Sequence, residues 1–276
     1  MAIIVGFFFL RNYADYRLFN ILTFAFCALG TFEVARALKG VISKDNFIIA
    51  VLFGAVFVPV FCFFEYFTAF NGAFACLIAL GASAVYSALY SAINRNGQTG
   101  GFIARFAVNT LPYFYPSVFL LALLCANELQ NGFICLLLIF AVSPCADTFA
   151  YLVGMTYNKI RKGKAKKMCP VLSPKKTWAG AIGGVVGGTV GAIVVYLIFG
   201  RSYEYSGAFN PVLLFALIGV IGSVLTEIGD LFESFIKRKV GIKDMGRIMP
   251  GHGGVMDRID GMTFAAAFIY PLFLLL

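Results

Sequence analysis

Eight apolar runs, each long enough to cross a bilayer, recur along this chain and limit what it can fold into. A membrane helix needs about 20 mostly apolar residues. The runs lie near 18–38, 47–64, 69–92, 103–126, 132–154, 178–200, 212–235 and 259–276. Of the 276 residues, 61% are apolar and only 13% charged, whereas soluble domains average roughly 45–50% and about 25%. So little polar surface cannot cover so much hydrocarbon in water. An ordinary cytosolic enzyme, a disordered chain and a secreted disulfide scaffold are therefore excluded. The expected fold class is all-α, a polytopic membrane protein with eight transmembrane helices, or nine if the opening run 2–10 contributes. That run is too short to cross alone. It also lacks the basic start and the small-residue cleavage site of a signal peptide.

The loops between these runs alternate in charge. Arg36, Lys39 and Lys44 follow the first run, and Arg95 and Arg105 follow the third. The loop between the fifth and sixth holds eight basic residues, from Lys159 to Lys176, and the loop before the last holds six, from Lys237 to Arg258. Nineteen of the 22 Lys and Arg residues thus share one side; Arg11, Arg17 and Arg201 lie on the other. The positive-inside rule assigns the rich side to the cytoplasm. The net charge of +9 thereby has a membrane origin and does not call for nucleic acid. Eight basic residues in one loop still exceed what orientation needs, and they suit anionic headgroups or a nucleotide triphosphate. The seven cysteines never form CxxC and mostly sit inside apolar runs, as buried free thiols do.

Ionisable groups inside a span are costly and point to function. Asp147 lies in the fifth run. Glu227, Asp230 and Glu233 recur every third residue in the seventh, which keeps them on one broad helical face. Asp257 and Asp260 repeat that spacing at the start of the eighth. Such acids need positive compensation, either buried pairs with Lys and Arg or a metal. Mg²⁺ takes one or two carboxylates together with water and substrate phosphates, and Asp230 with Asp257 would supply them if their helices pack together. For Glu33 and Arg36 in the first run, an ion pair is expected instead.

Two polar segments flank these acids. Ser173-Pro174-Lys175-Lys176-Thr177-Trp178 precedes the sixth run and reads as a helix cap with two lysines, suited to phosphate or to interfacial anchoring. Pro250-Gly251-His252-Gly253-Gly254 is a turn in which glycines let backbone amides approach an anion. Gly180, Gly184 and Gly188 form one small-residue row and Gly183, Gly187 and Gly191 another, a close-packing signal within the chain or between copies. No GxxxxGK[ST] loop, GxSxG elbow or HExxH motif is present, which disfavours a P-loop ATPase, an α/β-hydrolase and a zincin.

The segment from Ser234 to Asp260 resembles the signature of the phosphatidate cytidylyltransferases, the CDP-diacylglycerol synthases. Each fixed position of that pattern is filled: Ser234, Lys237, Arg238, Lys243, Asp244, His252, Gly253, Gly254, Asp257, Arg258 and Asp260. GDLFES before it, SPKKTW upstream, and Asp147 with Ala150, Tyr151 and Gly154 are also similar to that family. The likeness covers about residues 140–265; Ala179 departs from the Glu or Gln that many members carry there.

The resemblance implies an enzyme that joins CTP to phosphatidate, with Mg²⁺ and K⁺, in an all-helical homodimer of the cell membrane whose site faces the cytoplasm. It divides the chain into an N-terminal transmembrane region, 1–126, and a catalytic region, 127–276, with cytoplasmic loops 155–177 and 237–258. Asp230 and Asp257 would hold Mg²⁺, supported by Glu233 and Asp260. Lys237, Arg238 and His252 would join them in catalysis. Ser173, Lys175, Lys176 and Thr177 would seat phosphates with Ser234, Lys243, Asp244, Gly253, Gly254 and Arg258, and Asp147 would support the site. Competing readings are a transporter or channel that uses the same acids, a CTP-dependent lipid kinase, a cytidylyltransferase of archaeal lipids, and a non-catalytic assembly subunit.

Overall fold

The computed structural model describes residues 17–93, 101–200, 210–246, 248 and 253–276. The opening run, His252, Arg11, Arg95, Arg201 and Arg247 lie outside the described residues. Eight helices follow in order: α1 (Arg17–Ala37), α2 (Lys44–Phe67), α3 (Gly72–Ile93), α4 (Phe102–Glu128), α5 (Gly132–Ile160), α6 (Trp178–Phe199), α7 (Pro211–Lys239) and α8 (Met256–Leu275). All eight are long and apolar enough to cross a membrane, and the protein is a multi-pass membrane protein. Between α5 and α6 two short strands, β1 (Lys167–Cys169) and β2 (Ser173–Thr177), pair antiparallel. These are the two strands among the described residues.

Helix ends differ from the hydropathy limits where polar residues continue a helix beyond the apolar stretch. Residues 155–160 extend α5, and Lys237 and Arg238 occupy the last turn of α7 rather than a loop. Basic side chains there complement the partial negative charge of a helix C-terminus. Apolar content reports where lipid begins, whereas hydrogen bonding decides where the helix stops.

The chain divides into two compact units, Met1–Leu124 with Val240–Arg258, and Cys125–Lys239 with Ile259–Leu276. In the first, α2, α3 and α4 are tied by buried polar groups. The Asn46 amide donates to Asn109 Oδ1 at 3.1 Å, the Asn109 amide to Ser91 Oγ at 2.8 Å, and the Tyr113 hydroxyl to Asn46 Oδ1 at 2.6 Å. Hydrocarbon offers such groups no alternative partner, so the bonds hold the helices in register. The opposite face of α2 presents Ile48, Leu52, Val56 and Phe63 outward, as a lipid-facing surface requires.

In the second unit α6 lies directly on α5, and the two glycine rows explain why. A Cβ at Gly180, Gly184 or Gly188 would press on the carbonyl oxygens of Ala150, Ala146 and Val142. Gly183, Gly187 and Gly191 receive the side chains of Val153, Phe149 and Cys145. Both rows therefore serve packing within the chain. α7 joins the pair through Gly219, which leaves no room for a Cβ beside Thr189.

Candidate functional site

The hairpin sets the first elements of the site. Lys175 is exposed, whereas the Lys176 side chain is only 19% exposed. Thr177 then caps α6, with Oγ1 accepting the Gly180 N–H at 3.0 Å. The cap expected in SPKKTW therefore falls on Thr177, and Ser173 stands at the far end of β2, paired with Cys169.

α7 brings up the acids. The Lys176 ammonium lies 2.5 Å from Glu227 Oε2 and 2.7 Å from Asp230 Oδ2. Burial alone would push this lysine down, but the carboxylates of Asp230 and Glu227 outweigh it and hold the ammonium above the usual lysine range. Glu233 does not share this lysine; its carboxylate meets Lys237, one turn on, at 3.1 Å. Six residues along a helix rotate a side chain by about 120° from the first, which separates Glu233 from Glu227. The three-acid face read from the sequence thus splits into two ion-paired groups. Ser234 Oγ approaches Asp230 Oδ1 at 3.5 Å, and Arg238 is exposed.

Lys176, Glu227 and Asp230 border a cavity of about 470 Å³, a volume within the usual range of ligand pockets. Asp147, Ser173, Lys175, Lys176, Thr177 and Asp230 line it. Gly154 and Gly180 also line it, where α5 and α6 nearly touch. Asp147 is within electrostatic reach of Asp230, Asp260, Glu227 and Lys176. Sequence reasoning missed Glu227 as a partner of Lys176, and missed Lys167, Tyr151 and Asn158 as lining residues.

The signature segment of the first unit is held differently. Asp257, in the first turn of α8, accepts the Met245 N–H at 3.0 Å and the Gly254 N–H at 2.7 Å. Gly253 adopts φ +85°, a conformation that favours glycine. Glu33 is buried and accepts the Met256 N–H at 3.0 Å. The ion pair expected between Glu33 and Arg36 does not form; Arg36 is exposed. A backbone amide at a helix start meets one oxygen of the buried carboxylate, Oε2, instead. Lys243, Asp244 and Arg258 are exposed.

The acids lining the cavity are Asp147, Glu227 and Asp230, the last two paired with Lys176. Every acid lining the cavity offers carboxylate oxygen, the ligand type of Mg²⁺. Among the described residues no three His, Cys, Asp or Glu side chains form a ready-made cage. Mg²⁺ bound through one or two carboxylates, water and phosphate needs none.

A sequence model of the cytidylyltransferase family matches residues 1–276. A phosphatidate cytidylyltransferase of Brucella abortus (strain 2308) is 40% identical over 139 residues, covering 50% of this chain and 46% of that protein. Proteins of the same name are similar in Rickettsia conorii, 38% identical over 135 residues (49% of this chain, 56% of that one), and in Rickettsia prowazekii, 37% identical over 137 residues (50% and 57%). The chain thus spans about half the length of the curated relatives it matches.

Proposed function

The chain belongs to the cytidylyltransferase family, and from that premise we propose that it transfers CMP from CTP to phosphatidate, giving CDP-diacylglycerol and pyrophosphate. The observation that carries this reading is the Lys176 ammonium held by Glu227 and Asp230 in a cavity rimmed by further lysines. Such a site accommodates both a polyanion and the cation that accompanies it.

In the reaction, a phosphatidate oxygen bonds to the α-phosphorus of CTP as the bond to the bridging oxygen breaks, and pyrophosphate leaves with that electron pair. Phosphatidate is already ionised near neutral pH, so charge neutralisation and alignment matter more than a general base. Lys175 and Lys176, with Ser173 and Thr177, bind the triphosphate. Lys237, Arg238, Lys243 and Arg258 neutralise the phosphates of both substrates, while Ser234, Asp244, Gly253 and Gly254 shape the surrounding backbone. His252 contributes to the glycine turn. By the family resemblance, Asp230 and Asp257 would hold Mg²⁺, with Glu233, Asp260 and Asp147 in support and K⁺ as an accompanying ion. Bound there, Mg²⁺ supplies charge neutralisation and polarisation of a phosphoryl oxygen. The clustering of nineteen of 22 basic residues in alternate loops supports a cytoplasm-facing site in the cell membrane. The working form is a homodimer.

The test is turnover of labelled CTP and phosphatidate by the purified protein in Mg²⁺. Cytidine retained on the lipid supports nucleotidyl transfer. Retention of the γ-phosphate alone marks a kinase, and ion flux in proteoliposomes without nucleotide turnover marks a transporter.

A further inference from the structure

A carboxylate removed from water must be paired or well hydrogen-bonded, or its burial is costly. Glu33 is 1% exposed, and among the described residues it forms no ion pair. Its partners lie 223 positions away in sequence, where the Met256 N–H at the start of α8 donates to Oε2 at 3.0 Å. The same carboxylate presses against the backbone at two further points. A Cβ added at Gly246 or at Gly254 would collide with it.

Asp257 holds neighbouring residues of the same loop. Its oxygens accept the N–H groups of Met245 and Gly254, residues adjacent to or shared with those that Glu33 contacts. The loop is therefore fixed near both ends by two acids, one on α8 and one on α1.

We infer that Glu33 is a positioning residue, which orients the Asp257 carboxylate by fixing the backbone at Gly246, Gly254 and Met256; this deepens, and rests on, the reading of Asp257 as a Mg²⁺ ligand. Glu33 acts through the backbone it meets at Gly246, Gly254 and Met256. It acts as an outer support of the ligand, of the kind whose loss weakens metal binding by about 10–100-fold.

The test uses the purified full chain, with Mn²⁺ in place of Mg²⁺ so that binding is read by electron paramagnetic resonance. Glu33→Ala is expected to weaken Mn²⁺ binding by about tenfold or more and to speed hydrogen exchange at Met245, Gly254 and Met256. Glu33→Gln retains an acceptor for the Met256 N–H and should bind Mn²⁺ nearly as the parent does. A Glu33→Ala protein with parental Mn²⁺ affinity and parental exchange overturns the inference. Should that variant not fold, Gly246→Ala takes its place. Its methyl group displaces the carboxylate with Glu33 present, and undiminished Mn²⁺ affinity there is equally fatal. Asp257→Asn separates the two levels. Parental Mn²⁺ affinity in that variant removes Asp257 as a ligand, while hydrogen exchange in Glu33→Ala still reports whether Glu33 fixes the loop.

Discussion

Glu227 and Asp230 share the ammonium of Lys176, whereas Glu33 and Asp257 are met by backbone amides. Both solutions compensate acids in a chain with little water around it, but they differ in what can change. A lysine on a four-carbon stem can turn toward an incoming phosphate and leave its carboxylates to a metal. A backbone amide in a glycine-rich loop cannot move without moving the loop. The first arrangement suits exchange of partners during a reaction, and the second suits holding a geometry constant.

The sharpest way to break this contrast is to neutralise one acid of each kind. Asp230→Asn and Asp257→Asn are each expected to reduce CTP-dependent product formation by about 10²–10³-fold. Near-parental turnover by Asp257→Asn would make the amide-held acid a purely structural one. Lys176→Met leaves two partly buried carboxylates without their cation. The loss should approach about 3 kcal/mol, the low end for a broken buried pair, because the Asp230 side chain is 33% exposed. Thermal unfolding in detergent measures it, and adding Glu227→Gln should recover part of the loss. Additive losses in the double variant would mean that the two side chains do not interact.

Smaller effects sharpen the comparison within the hairpin. Thr177→Ala removes the α6 cap and should cost about 1 kcal/mol, read by the same unfolding assay. Lys175→Ala loses only an exposed charge; the CTP half-saturation should rise about fivefold, equivalent to just under about 1 kcal/mol, with kcat changing less. The smallest expected effect is with pH. Lys176 is held above its ordinary value of 10.5, so its pairing contributes fully below that value and fades only as pH rises through the higher folded one. The stability difference between parent and Lys176→Met should therefore stay flat from about pH 7 to 9. A difference that fell within this window would show that the lysine titrates low and that burial dominates.

The spans were legible because lipid demands apolar length and loop charge follows orientation; all eight runs became helices. The acids of α7 were legible as misplaced charges, and Asp147 likewise lies in the cavity. Partner choice was not. Lys176 and Glu227 are 51 residues apart and Glu33 and Met256 are 223 apart, so only tertiary packing selects them. Local spacing favoured Arg36 for Glu33, three residues on, but buried amides displaced it. The hairpin escaped because Pro174 and two lysines carry little strand preference, and pairing across the turn supplies what propensity lacks.

The seam between α5 and α6 has a reach beyond packing. Gly154 and Gly180, at its polar end, also line the cavity. The bore of the chamber is therefore gauged by hydrogen atoms along a contact that continues into hydrocarbon as far as Gly191. Widening that contact by one methyl group, even at Gly191 where it meets Cys145, would lift the hairpin and detune the chamber.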